Sequence, residues 1–150
     1  EFSRIRLDLV VNILVTKALT EGKLTVFGGE QWRPLLHVVD VANAIAHTIE
    51  SDVTGIFNLH YKNFKIIDIA QAIIEKVPSA SIETTPIKFQ DARNYQVSSE
   101  KLYKESGFKA STNLSKGIEE IYNLISNNRI KNVHHNRYSN QNFLEEYGIS

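Results

Sequence analysis

The stretch "LTVFGGEQWRPLLHVVDVANAI" restricts the fold more than any other part of the sequence. Its short apolar runs predict strands at residues 24–27 and 34–39, separated by a Gly-Gly turn. Asp40 is the predicted N-cap of an alanine-rich helix over residues 41–51. Strands that alternate with helices in this way predict an α/β chain with right-handed crossovers.

The segments on either side continue the alternation. Residues 8–21 predict a helix that is apolar on most of its surface, with Asp8 as its N-cap and Gly22 as its end. The later part of the chain predicts a strand at 55–60 ("GIFNLH"), a helix at 67–77, an extended segment at 81–89, a loop at 90–98, a short helix from Ser98 to Gly107 and an amphipathic helix at 113–126. Residues 127–150 are polar and asparagine-rich, and they predict an arm that packs on another surface or a disordered end.

The composition excludes several classes of protein. Seventeen basic residues balance seventeen acidic ones, so no overall field attracts nucleic acid or anionic lipid. Cysteine is absent, which excludes a disulfide framework and fits a reducing cytoplasm. No apolar run reaches the length of a membrane span. We therefore expect a cytoplasmic protein with neither nucleic acid nor a membrane as its partner.

The first residues favour a piece of a longer protein. The chain contains no methionine, opens at Glu1, and runs through "SRIRLDLVVN" directly into an apolar helix. We expect the sequence to be a fragment.

Several blocks in order carry a resemblance to a known family. "LTVFGGEQWRPLLHVVDVANAI", "GIFNLH" and "DARNYQVSSEKLYKESGFKASTNLSKGIEEIYNLI" resemble the C-terminal part of the extended short-chain dehydrogenases/reductases, the NAD-dependent epimerases and dehydratases of nucleotide sugars. The resemblance covers about residues 6–126. It implies a partial Rossmann-type α/β fold, namely the C-terminal substrate-binding portion with short strands and several helices. It also implies a division into a substrate-binding portion, 1–128, and a polar tail or packing arm, 129–150.

The catalytic parts of such enzymes have no counterpart in these residues. The family carries a glycine fingerprint for the dinucleotide and a Tyr-x-x-x-Lys pair, and hydride passes transiently from the sugar to the nicotinamide. Here the Gly-Gly turn does not open a helix, and Tyr61 with Lys65 falls in a linker between a strand and a helix. The resemblance thus implies NAD or NADP in the intact parent enzyme, no cofactor bound by this fragment, and no catalytic residue in it.

The resemblance places Arg33 and Arg93 on the two arginines that clamp the diphosphate of the substrate. A guanidinium matches paired phosphate oxygens with two parallel charge-assisted hydrogen bonds. The alternative for each residue is a surface arginine in a weak ion pair. Their placement in two separate blocks favours the diphosphate interpretation.

The resemblance also implies further substrate contacts. Thr25 and Phe27 match the short strand whose backbone reads the edge of the base, although Phe27 also suits a core position. Leu9 matches a position near the phosphates and base. Trp32 is predicted either to stack on the base or sugar or only to pack between the turn and a helix. Asn58 matches a position that helps to hold the loop near the cofactor.

Other polar residues have structural explanations. Asp8 and Asp40 are explained as helix N-caps, and His37 is predicted to be a core or interdomain histidine rather than a ligand. His134 and His135 are adjacent, so their side chains diverge in an extended chain, and we expect no metal site.

Three functions follow from these observations. The first is the nucleotide-sugar-binding portion of an NAD(P)-dependent epimerase or dehydratase. Its partner is a nucleotide-diphosphate sugar. The exposed edge of the strand at 55–60 predicts that the fragment forms a homodimer, swaps elements or is only marginally stable. The second is a non-catalytic binding or regulatory module that keeps the reductase-like fold. The third, a free-standing α/β domain of unrelated role, is disfavoured by the ordered blocks.

Overall fold

The structure is a computed structural model that describes residues 5–86 and 93–148. In chain order its elements are α1 (Val10–Glu21), β1 (Lys23–Phe27), β2 (Trp32–Leu35), α2 (Val38–Ile49), β3 (Lys62–Lys65), α3 (Ile66–Lys76), β4 (Ser81–Thr85), α4 (Glu100–Ser106), α5 (Leu114–Ser126), a 3-10 helix (Asn136–Tyr138) and α6 (Asn140–Glu146). The predicted α/β class is confirmed.

The four strands form two small sheets of two strands each. β1 pairs with β4 in parallel, with Lys23 opposite Ser81 at one end of the ladder. β2 pairs with β3 in antiparallel fashion, with Trp32 opposite Lys65 and Leu35 opposite Lys62. We call this second pair the β2–β3 ribbon, because it carries the predicted phosphate-binding arginine.

The main core lies between α1, α3, α5 and the inner face of β1. Alternate residues of β1 point inward, so Leu24 is completely buried. α3 places Ile69 and Ile73 on one face at helical spacing, and both are inaccessible to solvent. α5 contributes Ile118 and Ile121 from the other side. The predicted helices at 67–77 and 113–126 are therefore confirmed, because their apolar spacing is the spacing that this core requires.

The start of α1 differs from the prediction for Asp8. The N-cap is Leu9, which makes no side-chain capping bond. Asp8 instead forms a bidentate pair with Arg6, with distances of 2.9 Å, and accepts from the amide of Asn140 at 3.1 Å. The cap prediction was wrong because a guanidinium two residues away competes for the same carboxylate. Gly22 ends the helix with φ +68°, as predicted.

The prediction of a strand over 34–39 with Asp40 as the following cap was also wrong. β2 ends at Leu35, and α2 begins at Val38 with His37 as its N-cap, since His37 Nδ1 accepts from the amide of Val39 at 3.2 Å. Asp40 lies inside the first turn and is 1% exposed. Its two carboxylate oxygens accept from the backbone amides of residues 111 and 112 at 3.3 and 2.9 Å. The Asp40 carboxylate is therefore bound by two distant amides and does not cap the helix, and α2 starts earlier than predicted.

The predicted strand at 55–60 does not form in the part of the chain that the structure describes. Gly55 has φ +121°, and the segment is irregular up to β3. The carbonyl of Ile56 accepts from Lys101 Nζ at 3.2 Å, and the amide of His60 donates to Ser99 Oγ at 2.8 Å. The strand prediction assumed that a neighbouring strand would bind the backbone groups of this segment. Side chains of the α4 region bind two of them instead.

The remaining predictions are mostly confirmed. The extended segment forms β4, while residues 87–89 and the loop residues 90–92 lie outside the described residues. α4 has Ser99 rather than Ser98 as its N-cap, although Ser98 Oγ accepts from the amide of Glu100 at 3.3 Å. Gly107 ends α4 with φ +75°, and Asn113 caps α5.

The last described residues form an arm that reaches the start of α1. We define the arm as residues 129–148, which include the 3-10 helix and α6. The amide of Leu7 donates to the carbonyl of Tyr138 at 2.8 Å, next to the contact between Asp8 and Asn140. Ile130 anchors the other end and is 7% exposed. The division of the chain at residue 128 stays a prediction.

Candidate functional site

The turn after β1 brings the chain tightly round to β2. Gly28 and Gly29 have φ of +74° and +104°, a region that favours glycine. The side chain of Gln31 closes the turn, because it accepts from the amide of Gly29 at 2.9 Å and donates to the carbonyl of Phe27 at 3.1 Å. A Cβ on Gly29 would lie 3.2 Å from the Cβ of Ile67. Backbone geometry and packing against α3 therefore explain both glycines.

Arg33 lies in β2, directly after this turn. Its Nη1 donates to the carbonyl of Trp32 at 2.9 Å and also to the carbonyl of Arg93. Arg33 and Arg93 are 60 positions apart in the sequence, yet the structure makes them neighbours. The acceptor on Arg93 is a main-chain oxygen, so this bond does not use the Arg93 guanidinium. Arg33 and the backbone of Arg93 thus belong to one small region.

Residues 93–99, which we call the strap, lie against the β2–β3 ribbon. The amide of Trp32 donates to Asn94 Oδ1 at 3.0 Å. Further along, Asn63 of β3 donates to the carbonyl of Val97 at 2.9 Å and accepts from its amide at 3.0 Å. The strap therefore runs from the first residue of β2 to the start of β3.

His60 and Ser99 fasten the far end of the strap. His60 Nδ1 lies 2.6 Å from Ser99 Oγ, and His60 Nε2 lies 3.3 Å from Asn63 Nδ2. Because Asn63 Nδ2 is a donor, Nε2 must accept, so the proton of the neutral ring is on Nδ1 and is donated to Ser99. Burial lowers the pKa of His60. Ser99 is consequently a hydrogen-bond acceptor here and is not activated as a nucleophile.

Trp32 packs against charged neighbours at the edge of the ribbon. It is half-buried, and Lys65 Nζ lies 5.7 Å from its ring centroid. Lys65 is also 2.7 Å from Glu30, and that hydrogen bond raises the pKa of the lysine. The structure thus supplies a packing partner for the indole. A base that stacked on the same face would have to displace Lys65.

The other predicted residues lie on separate elements. Thr25 and Phe27 are the half-buried alternate residues of β1, opposite Glu83 and Thr85 of β4. Leu9 is the 46%-exposed cap of α1. Asn58 is exposed in the irregular segment between α2 and β3. Their roles in binding stay predictions.

A cavity of about 680 Å³ lies beside α1, the end of β2, α5 and the arm. Leu9 lines it, and so do His37 and Glu120, whose Nε2 and Oε2 atoms are 3.0 Å apart. Because His37 Nδ1 accepts from the backbone, its Nε2 carries the proton and donates to the carboxylate. His37 therefore has a structural role as the cap of α2, and it also forms part of the cavity wall.

Neither a metal site nor a membrane span is found in the described parts of the chain. Across residues 5–86 and 93–148, no three histidine, cysteine, aspartate or glutamate side chains are placed to hold a metal ion. Within the same residues, no helix combines the length and the apolar character that crossing a bilayer requires.

The roles of Asn63 and Asn94 were not predicted from the sequence. Both are ordinary polar residues in local context, and their partners are 34 and 62 positions away. No spacing rule links residues across such a distance. The only signal was indirect, since the sequence predicted a loop where the strap now lies.

The chain is similar to known proteins in sequence and in fold. The family model described as the NAD dependent epimerase/dehydratase family matches residues 5–59, which include α1, both glycines of the turn, β2 and α2. About a third of the chain is thus similar in sequence to this family. Its resemblance to the extended short-chain dehydrogenases/reductases is thereby confirmed.

Individual proteins are similar to this chain in sequence or in fold. UDP-glucuronic acid decarboxylase 1 of Arabidopsis thaliana is 27% identical over 115 residues, which are 75% of this chain and 26% of that protein. The solved NAD-dependent NDP-hexosamine 5,6-dehydratase TunA has a TM-score of 0.72 at 17% identity, over 85% of this chain and 43% of the other. UDP-glucuronic acid 4-epimerase of Bacillus cereus, solved with UDP-glucuronic acid and NAD, has a TM-score of 0.69 at 21% identity, over 81% and 41% of the two chains.

The chain is much shorter than these proteins. It spans 26% of the length of the Arabidopsis decarboxylase and 43% and 41% of the two solved chains. The shared fold therefore concerns less than half of each solved chain.

Proposed function

We propose that this chain is the nucleotide-sugar-binding portion of an NAD(P)-dependent epimerase or dehydratase. The observation that carries the proposal is the contact between Arg33 and the backbone of Arg93, which makes these two residues neighbours at one end of the β2–β3 ribbon. A diphosphate presents anionic oxygens that two guanidinium groups bind from different sides. The solved relative that holds UDP-glucuronic acid makes a nucleotide-diphosphate sugar the natural ligand class.

The described residues do not fit the dinucleotide cofactor. A dinucleotide-binding turn opens a helix whose N-terminus meets the pyrophosphate. Here the Gly28–Gly29 turn leads into β2, and the side of Gly29 is filled by Ile67. We therefore assign NAD or NADP to other parts of the intact enzyme, together with the hydride transfer. That enzyme is expected to be cytoplasmic and homodimeric.

Titration calorimetry with UDP and with uridine tests the proposal. Arg33→Ala should weaken binding of UDP by about tenfold or more, since a charge-assisted hydrogen bond is worth about 1.5–3 kcal/mol. Binding of uridine, which has no phosphate, should change little. Lys23→Ala is the matched control, because it removes the same charge from the far end of β1.

Two results would contradict the proposal. One is the absence of binding by the wild type to UDP, dTDP, CDP, GDP or ADP. The other is an equal effect of Arg33→Ala and Lys23→Ala on UDP, which would mean that only the overall charge matters.

The exposed face of α2 favours a second function. Val38, Ile45 and Ile49 share one stripe of the helix and are 70%, 56% and 77% exposed. An exposed aliphatic stripe is typical of a protein interface, so a non-catalytic module that binds a protein partner is the alternative. Specific binding of a nucleoside diphosphate that depends on Arg33 separates the two functions.

A further inference from the structure

The strap is attached at points on both sides of Val97, to the β2–β3 ribbon and to His60 just before it. At one end Asn94 accepts from the amide of Trp32, and Arg33 donates to the carbonyl of Arg93. At the other end His60 donates to Ser99. Arg93 is thus the first described residue of a segment whose position is fixed by side chains of a different part of the chain.

Asn63 binds the middle of the strap as a neighbouring strand would. Its amide group donates to the carbonyl of Val97 and its carbonyl oxygen accepts from the amide of Val97, at 2.9 and 3.0 Å. One side chain therefore satisfies both backbone groups of a residue that belongs to no sheet. Since Asn63 is opposite Pro34, next to Arg33, the same short ribbon carries both the arginine and the residue that holds the strap.

We propose that Asn63 and Asn94 are positioning residues, which hold the strap so that the Arg93 side chain and Arg33 converge on one diphosphate. This inference rests on the proposed function and adds the residues on which the geometry of its site depends. Neither asparagine touches the ligand in this scheme. Asn63 acts through the backbone of Val97, and Asn94, the residue next to Arg93, acts through the backbone of Trp32.

The proposal explains why two polar residues with no charge occupy these positions. Asn63 is part-buried at its contact with Val97, where a longer or charged side chain would not match one donor and one acceptor at the same time. Loss of the side chain leaves the strap attached only at its ends. A segment that fluctuates between two attachments keeps Arg93 near Arg33 for a smaller fraction of the time, which lowers the affinity for the ligand.

A double-mutant cycle measured by calorimetry with UDP tests the positioning role. Arg93→Ala should weaken UDP binding by about tenfold, and Asn63→Ala by about three- to tenfold. In the Arg93→Ala background, Asn63→Ala should cost less than a factor of two, because the group that it positions is gone. In the Lys23→Ala background, its full effect should remain.

Amide hydrogen exchange supplies the second readout. Asn63→Ala should accelerate exchange at Val97, whose amide loses its acceptor, and leave exchange in α3 and α5 unchanged. Asn94→Ala is the second variant, since it cuts the contact with Trp32 from an exposed position and spares Asn63. Asn123→Ala, an exposed change on α5, should alter neither exchange nor affinity.

The outcomes separate this inference from the proposed function. If the wild type binds no nucleoside diphosphate, the proposed function and this inference both fail. If the wild type binds UDP and Arg33→Ala weakens it, but Asn63→Ala and Asn94→Ala bind as the wild type does, the positioning role alone is overturned. Equal losses for Asn63→Ala with and without Arg93 would likewise overturn it.

Discussion

Single residues in this chain change role when a distant partner is present. Asp8 and Asp40 both have the sequence context of helix caps. Asp40 is instead buried and accepts from two amides about 70 positions away, while Asp8 is divided between Arg6 and the arm. Local propensity identified the regions where helices start. It did not identify the atoms that each carboxylate binds, because those lie far along the chain.

Asp8 makes the attachment of the arm dependent on pH. Hydrogen bonding to Arg6 lowers the pKa of Asp8, although partial burial opposes this. A carboxylate with a lowered pKa stabilises the fold at neutral pH, and that contribution is lost as the pH falls through its folded-state value. Since the side chains of the pair are 39% and 26% exposed, solvent screens their attraction, and we expect a contribution of only about 0.5–1 kcal/mol.

Hydrogen exchange of the Asn140 amide checks this prediction. Asp8→Asn should accelerate that exchange at pH 7, and the wild type should approach the variant as the pH falls below about 4. Asp52→Asn, which removes an exposed carboxylate after α2, is the control. A constant difference between the wild type and Asp8→Asn down to pH 2.5 would show that the charge of Asp8 is not what holds the arm.

At the scale of elements, the helices were more predictable than the strands. The apolar spacing of α3 and α5 and the glycine ends of α1 and α4 are properties of neighbouring residues, and they were identified correctly. β3, "KNFK", shows little strand pattern, and it forms because β2 is available as a partner. The apolar run at 55–60 has the better pattern but is irregular in the described chain. Pairing across long separations decided both cases.

Gly29, in the turn between β1 and β2, should be the glycine whose replacement by alanine destabilises the protein most. Gly29→Ala places a Cβ 3.2 Å from Ile67 at a backbone φ of +104°, so strain and crowding add together. We expect a loss of about 2–3 kcal/mol in the free energy of unfolding. Gly22→Ala, at φ +68° with open space around the Cβ, should lose about 1 kcal/mol.

Urea unfolding of the two variants and the wild type measures this difference. The comparison is matched, because both changes introduce one methyl group at a left-handed residue. Equal losses for Gly29→Ala and Gly22→Ala would mean that backbone conformation accounts for the whole effect and that contact with Ile67 contributes nothing.

At the scale of the whole molecule, α2 has an unusual distribution of polar and apolar side chains, because an ordinary surface helix buries apolar residues and exposes charged ones. α2 buries Asp40 and exposes Val38, Ile45 and Ile49 on one stripe. Water does not favour that arrangement, since each exposed aliphatic side chain forgoes about 1.5–3 kcal/mol of burial. We therefore expect the predicted self-association to use this stripe.

Light scattering of the chain over a range of concentrations checks the expectation. Ile45→Lys with Ile49→Lys should shift the protein towards the monomer, whereas Asn43→Lys, on the same helix but off the stripe, should not. Unchanged association in the double variant would remove α2 from the interface. A wild type that stays monomeric at every concentration would contradict the homodimer prediction itself.

Arg33 donates to the main-chain carbonyl of Arg93. Because of this contact, the two arginines should differ in how well they tolerate substitution. Every amino acid, proline included, offers a main-chain oxygen at position 93, so a new side chain there leaves the anchor of Arg33 chemically intact. Replacement of Arg33 by an uncharged residue, by contrast, removes both a charge and the hydrogen bond that connects β2 to the strap. Under the proposed function, we therefore expect substitutions at position 93 to change ligand preference while the hydrogen bond from Arg33 to the main chain stays in place.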